Sequence, residues 1–154
     1  MNFLMSIFFS PRPRAVIDMP ATVNRWLCRK RYTAITLFGH IYTREQKDAD
    51  KMNGKWNALK NHEMIHLRQA QNTCNSWLLF YILYGWYSLL ALRYFRKTAN
   101  AAYYLNPFEI EAYAHMFDQH YLDSHERHGV DGWRTFAKMS LAARLRYIRH
   151  NNIG

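Results

Sequence analysis

The residues best suited to chemistry in this chain are His62, Glu63 and His66, which form the pattern His-Glu-x-x-His. On a helix, residues four positions apart lie on the same face, so His62 and His66 could hold one metal ion between their imidazoles. Glu63 is rotated by about 100° from His62 and would stand beside the ion, where a general base for an attacking water must be. The pattern has only three fixed letters, so the surrounding sequence must decide between a metal site and a surface helix with two solvated histidines.

The flanking sequence predicts a helix over about residues 55–72 with this motif in its middle. Apolar residues recur at helical spacing, a Met-Asn-Gly turn signal at 52–54 comes just before it, and neither proline nor glycine interrupts the run. Catalytic zinc usually has three protein ligands and one open position. The motif therefore requires a third ligand from another segment.

The stretch 106–113 supplies two candidates for that ligand. Asn106 is a good N-cap, Pro107 suits the first helical position and Glu109 would complete a capping box, so a helix is predicted from here to about residue 127. Glu109 and Glu111 lie about 200° apart on this helix, so both cannot face the same ion. Capping alone would explain Glu109, and Glu111 is the ligand if the helix is rotated. Histidines further along could replace Glu109, namely His115, His120, His125 and His128.

The motif at 62–66, together with a distant helix that carries Glu109 and Ala112 as Glu-x-x-Ala, resembles the gluzincin metallopeptidases. The small size resembles the minigluzincins within that group, and the start of the second helix is similar to that of integral-membrane prenyl-protein peptidases. The resemblance implies zinc bound by His62, His66 and Glu109, with Glu63 as the general base. It also implies that the strand predicted near 32–42 lies beside the cleft and can bind extended substrate.

Tyr113 departs from the family pattern, which has an acidic residue at this position to support a metal ligand from behind. A tyrosine could instead donate a hydrogen bond to the oxyanion of the transition state. Tyr113 is a candidate for this role, as are Tyr103 and Tyr104, and the sequence does not choose among them.

Length and composition indicate one domain that favours an anionic partner. The chain has 154 residues, of which 16% are aromatic, and a formal net charge of +10. Such a charge favours nucleic acid, an anionic membrane surface or an acidic substrate, but no named nucleic-acid-binding motif occurs, so we do not expect nucleic acid. Cys28 and Cys74 make no disulfide framework, and the apolar N-terminus lacks the basic region of a secretory signal. We therefore predict a cytoplasmic protein that associates peripherally with a membrane.

The remaining segments complete the prediction of a single α+β domain over 1–154, mostly helical and zincin-like with a small N-terminal β-sheet. Their predicted structures are an apolar and basic arm at 1–14, a short helix within 18–31, a strand bent at Gly39 over 32–42, a charged loop or second edge at 43–51, and one basic amphipathic helix at 133–150. We expect the two motif helices to face each other across a cleft.

Residues 77–92 form an uncharged run rich in aromatic side chains, which should cover the back of the two motif helices. The run is slightly short for a span of ~20 apolar residues, and its aromatic side chains suit a membrane interface better than a bilayer centre. Three interpretations stay open, namely a buried central helix, a helix that docks on or into a membrane, and an oligomer interface.

These patterns favour a zinc-dependent peptidase that acts on a peptide or protein substrate, with Glu63 as the general base. The alternative is a membrane-surface or nucleic-acid-binding basic protein in which the zinc site is structural or inactive.

Overall fold

The computed structural model describes residues 20–28, 33–94, 99–123 and 132–153. These residues form a three-stranded sheet followed by seven helices, which confirms the predicted α+β class with a small N-terminal sheet. The arm predicted at 1–14 lies outside the described residues, and so do two of the candidate histidines, His125 and His128.

The sheet consists of β1 (Ala21–Val23), β2 (Ala34–Leu37) and β3 (His40–Thr43) in the order β1-β3-β2. β1 runs parallel to β3, and β3 pairs with β2 in an antiparallel hairpin. The short helix predicted within 18–31 is wrong in its described part, because residues 21–23 pair with β3. In the strand order of the described sheet, β2 lies at one edge.

The single bent strand predicted over 32–42 is in fact two strands joined by a two-residue turn. Phe38 and Gly39 both have positive φ, 48° and 82°, which is the backbone geometry of the tight turns that match the twist of a hairpin. Glycine adopts this conformation readily, whereas phenylalanine rarely does, so the sequence indicated only a bend.

The helices follow the sheet in chain order. They are α1 (Gln46–Asn53), α2 (Ala58–Asn72), α3 (Trp77–Tyr94), α4 (Ala99–Tyr104), α5 (Pro107–His115), α6 (Trp133–Lys138) and α7 (Leu141–His150). No helix among the described residues is long and apolar enough to span a membrane.

Two predictions about the helices near the site need correction. Residues 46–53 form α1 rather than a charged loop, because Ala49 and Met52 lie on one face and are buried while the charged side chains point outwards. The helix predicted to reach residue 127 ends at His115. Asn61 of α2 donates its side-chain amide to the carbonyls of His115, Met116 and Asp118, which satisfies the free carbonyl groups at this end of α5.

The basic segment at 133–150 is two helices rather than one. Ser140 breaks it and caps α7 by accepting a hydrogen bond from the Ala143 amide. Arg144, one of the basic residues of this segment, is buried rather than exposed, and its guanidinium donates to the carbonyls of Phe136, Ala137 and Leu105. The C-terminal helices are thereby tied to the core beside α5.

The helix α2 lies at the centre, between β2 on one side and α5 on the other, so the two motif helices face each other as predicted. The apolar helix α3 packs beside α2 and α5, whereas it was predicted to cover their back. Asn106, at the start of α5, donates to the Tyr84 carbonyl and to Ser88 Oγ, and this fixes α3 against α5. The back of α5 is covered by α6, where Trp133 packs against Phe108 with ring centroids 4.5 Å apart.

Candidate metal centre

The motif lies in a rigid and buried part of α2. Asn57 caps the helix by accepting hydrogen bonds from the backbone amides of Leu59 and Lys60. His62, Glu63 and His66 are all buried. The alternative of a surface helix with two solvated histidines is therefore wrong.

Glu109 of α5 lies directly opposite the two histidines. Its Oε2 atom is 3.3 Å from His62 Nε2 and its Oε1 atom is 3.4 Å from His66 Nε2, while the two Nε2 atoms are 3.2 Å apart. The predicted capping box does not form, because the Asn106 amide donates to the Tyr103 carbonyl instead. His62, His66 and Glu109 could hold a metal ion, since one ligand atom from each lies within 4.8 Å of the others.

The two oxygen atoms of Glu109 have different surroundings. Tyr84 of α3 donates its hydroxyl to Oε1 at 2.6 Å. Oε2 is buried, and among the described residues its nearest polar contact is His62 Nε2 at 3.3 Å, with no hydrogen bond of good geometry. A buried carboxylate oxygen without a donor is costly, so this atom is the one best prepared to meet a cation.

Glu111 points away from the histidines and joins segments that are distant in sequence. It accepts hydrogen bonds from Gln69 Nε2 at 2.8 Å, from the Tyr121 hydroxyl at 2.7 Å and from the Trp133 backbone amide at 2.7 Å. Burial raises the pKa of Glu111, and these hydrogen bonds oppose the rise. The structure thus places Glu109 rather than Glu111 against the histidines.

Gln69 links Glu111 to the motif and fixes the tautomer of His66. Its amide nitrogen donates to Glu111 and to the Phe108 carbonyl, so its Oε1 atom must be the acceptor that faces His66 Nδ1 at 2.8 Å. His66 therefore carries a proton on Nδ1. This leaves its Nε2 atom, which faces Glu109, as the nitrogen that could bind a metal ion.

The ionisation of His66 and that of Glu109 influence each other at this centre. Burial lowers the pKa of His66, but the Glu109 charge and the hydrogen bonds to Glu109 and Gln69 raise it to about 9. Burial raises the pKa of Glu109, but the charge on His66 and the contact with His62 bring it well below its ordinary value. A metal ion at this position would replace the proton on His66 Nε2.

Glu63 lies beside this group and faces a cavity of about 270 Å³. Thr36 of the edge strand β2 donates its hydroxyl to Glu63 Oε2 at 2.6 Å. The wall of the cavity is mainly apolar and aromatic, and it is lined by Ala34, Ile35, Thr36, Leu37, Glu63, His66, Phe80, Tyr81, Tyr84, Tyr103 and Glu109. The candidate metal centre thus opens onto a space that a ligand could enter.

Tyr81 of α3 lines this cavity and contacts the turn between β2 and β3. Its hydroxyl accepts a hydrogen bond from the Phe38 amide at 3.1 Å, and its ring packs edge-on against the Phe38 ring. Burial raises the pKa of Tyr81 to about 12, so the hydroxyl stays neutral at physiological pH.

The three candidate tyrosines lie at different places around the centre. Tyr113 packs its ring edge-on against His62 with centroids 4.5 Å apart, and His62 Nδ1 has no hydrogen-bond partner. The Tyr113 hydroxyl is 3.5 Å from that of Tyr103, which lines the cavity. Tyr104 contacts the Tyr113 ring but is not among the residues that line the cavity.

The other two candidate histidines that the structure describes, His115 and His120, do not belong to the centre. His115 stacks on Tyr121 with ring centroids 4.0 Å apart, and His120 is exposed and pairs with Asp123 at 3.0 Å. Neither belongs to a group that could hold a metal ion, so among the described residues Glu109 has no competitor from a histidine.

Sequence reasoning missed three residues that support the centre, namely Thr36, Gln69 and Tyr84. Gln69 follows His66 by three positions, so its place on the same helix face was a usable signal. Thr36 and Tyr84 reach Glu63 and Glu109 through tertiary contacts, and nothing in their local sequence marks them.

Comparison of the chain with protein-family models, with curated proteins and with solved structures gives no match. What the protein does must therefore be inferred from the arrangement of these side chains.

Proposed function

We propose that this protein is a zinc-dependent peptidase of the gluzincin type, with the metal ion held by His62, His66 and Glu109. The observation that supports this most strongly is the buried Glu109 Oε2 atom, which faces His62 beside His66 and accepts no well-formed hydrogen bond from the described residues. Two imidazoles and one carboxylate form a donor set that catalytic zinc uses, and it leaves a position open for water or substrate.

Zinc bound by these ligands would polarise the scissile carbonyl and lower the pKa of a water molecule. Glu63 would accept the proton of that water, and this role is supported by its position in the lining of the same cavity as His66 and Glu109. Thr36 holds the Glu63 carboxylate in one orientation through its hydroxyl. Glu63 can then return the proton to the leaving amine, as a general acid does in the second half of the reaction.

The cavity offers two features that suit an extended peptide. Among the described residues β2 lies at one edge of the sheet and lines the cavity, so a peptide backbone could pair along this strand. Leu37, Phe80 and Tyr81 give the wall an apolar and aromatic surface that would accept an apolar substrate side chain. Tyr103 lines the cavity and is the candidate donor to the oxyanion, and the hydroxyl of Tyr113, the second candidate, lies 3.5 Å from that of Tyr103.

The proposal can be tested by metal analysis combined with peptide turnover. Purified protein should contain one zinc ion per chain, cleave members of a mixed peptide library in a mass-spectrometric assay, lose activity on chelation and regain it when zinc is added back. Bound zinc without cleavage would leave the alternative of a structural or inactive metal site. Protein that neither binds zinc nor cleaves peptides would refute the proposal.

Thr36 provides a further test, because its hydroxyl has no other apparent task than to hold Glu63 from β2. Replacing Thr36 by valine keeps the shape and suits a strand, but removes the hydrogen bond to a charged group. We expect kcat to fall about ten-fold with the zinc content unchanged. Thr36→Ser keeps a hydroxyl and should retain most of the activity. Full activity of Thr36→Val in a steady-state assay would show that Glu63 needs no such support.

A further inference from the structure

We propose that one face of α3 docks the protein on an anionic lipid surface. The opposite face of this helix, which points inwards, is formed by Trp77, Phe80, Tyr84, Tyr87 and Ala91. The outward face is formed by Leu78, Ile82, Gly85, Trp86, Leu89 and Leu92. The two sets follow the helical repeat on opposite sides of α3, so the helix is a core element on one side and an apolar surface on the other.

The outward face is exposed to an unusual degree for such apolar side chains. The exposed fractions are 56% for Ile82, 57% for Trp86 and 63% for Leu89. These residues are four and three positions apart and therefore form one continuous stripe. A stripe of this kind, with a tryptophan at its middle, is typical of helices that lie in the interface of a membrane.

The distribution of charge identifies the partner of this face. Between Glu63 and Glu109 the sequence contains no aspartate and no glutamate, whereas it contains Arg68, Arg93, Arg96 and Lys97. Arg93 is exposed at the C-terminal end of α3, next to Leu92. An apolar stripe that ends beside the exposed Arg93, on a chain with a net charge of +10, is complementary to an anionic lipid surface.

The same charges argue against a second copy of the chain as the occupant. Two copies that met through this face would bring Arg93 and the overall positive charge of each chain close together, and like charges at an interface oppose association. An anionic lipid surface instead gains from both the apolar stripe and the cations. The inward face stays packed against Phe108 and the core, so only one side of α3 would enter the lipid.

Docking through this face would hold the cavity close to the lipid. Tyr81 and Tyr84, which line the cavity, belong to the same helix as Trp86 and Leu89, and Tyr81 also holds the exposed Phe38 at the tip of the hairpin. A peptide segment near the membrane surface would then lie within reach of β2. The docking itself does not depend on the metal centre, so it can be tested separately.

Co-sedimentation with vesicles is the direct test. Wild-type protein at low salt should bind vesicles made of equal parts phosphatidylcholine and phosphatidylserine, and it should bind phosphatidylcholine vesicles weakly. The double variant Trp86→Glu/Leu89→Glu should partition about 100-fold less, because two apolar side chains can no longer enter the interface. Both side chains are exposed, so the fold should persist, and circular dichroism would check this.

A matched control separates the face from the general charge of the protein. Trp56 and Phe117 are exposed by 50% and 75% and lie outside α3. The variant Trp56→Glu/Phe117→Glu changes the net charge by the same amount and removes the same number of exposed apolar side chains. We expect its binding to stay within about three-fold of wild type, because only the long-range electrostatic attraction is reduced.

Gly85→Glu is a second variant that removes no side chain. A Cβ atom at Gly85 would meet no other atom within 4 Å, so glutamate can be placed in the middle of the outward face without a clash. It should weaken binding about ten-fold, and Gly85→Ala should not.

The proposal is overturned if wild-type protein does not bind anionic vesicles at low salt, if face and control variants bind equally, or if neutral vesicles bind the protein as well as anionic ones do. A dimer that the face variant dissociates, without vesicle binding, would also overturn it.

Discussion

Replacement of Glu63 by glutamine is expected to abolish peptide turnover while leaving zinc bound. The amide has nearly the same shape as the carboxylate, and the Thr36 hydroxyl can still donate to its oxygen, but it cannot accept a proton from water. Since general base catalysis contributes up to about 10⁴-fold, we expect kcat to fall by about 10³-fold or more. Elemental analysis would measure the zinc content, and a discontinuous peptide assay would measure kcat.

Glu45→Gln is the matched control for this substitution. Glu45 is exposed at the start of α1 and pairs with Lys47 at 2.8 Å, so its replacement removes one negative charge without touching the cavity. The control should keep wild-type turnover. If Glu63→Gln cleaved peptides at a rate comparable with the control, Glu63 would not be the base.

Replacement of Glu109 by alanine is expected to release the metal. It removes one of the three proposed ligands and leaves the two histidines, so zinc affinity should fall by about a thousand-fold. Competition with a chromophoric chelator would measure this affinity. Tyr84 would also lose its hydrogen-bond partner at Oε1, so thermal unfolding in the presence of chelator should be measured alongside.

Glu111→Gln distinguishes a ligand from a residue that supports one. Glu111 is linked to His66 through Gln69 rather than facing the proposed metal position, so zinc affinity should fall by about ten-fold, as is usual when a partner of a ligand is altered. The loss of a buried carboxylate that accepts three hydrogen bonds should show mainly as a lower melting temperature. Release of zinc by Glu111→Gln but not by Glu109→Ala would reverse the assignment.

The central parts of the candidate site could be predicted because they depend on local geometry. His62 and His66 lie on one face of any helix, and Asn106 with Pro107 begins a helix wherever they precede an apolar run. The structure brings Glu109 to the histidines in the way that the resemblance implied. The role of Tyr84 could not be predicted from the sequence. Tyr84 and Glu109 are 25 positions apart, and their contact depends on how α3 packs against α5.

Two of the errors in the fold have a common cause in contacts between residues that are distant in the sequence. Asn61 ends α5 from a different helix, and Arg144 is buried because three backbone carbonyls surround its guanidinium. The periodicity of apolar residues indicates which face of a helix is buried and which is exposed to solvent. It carries no information about such hydrogen-bond partners. The hairpin was missed for a local reason, since Phe38 gives no signal for a positive φ.

The apolar run at 77–92 shows why one sequence pattern left three interpretations open. Its hydrophobic residues surround the helix on all sides, so the sequence defines no polar face. In the structure Phe80 is buried in the core and Leu89 is exposed on the same helix. The interpretation as a core helix is therefore confirmed for one face, and membrane docking is a proposal for the other.

Glu111 also limits how the site could be transferred to another protein. Through its hydrogen bonds, the orientation of His66 depends on Gln69, on Tyr121 in the loop after α5 and on the first amide of α6. A graft of α2 and α5 alone would leave the Glu111 carboxylate buried with two of its three donors missing, and buried charge without donors destabilises a fold. A unit that is moved or recombined with the site intact must therefore include Tyr121 and the start of α6 as well as α2 and α5.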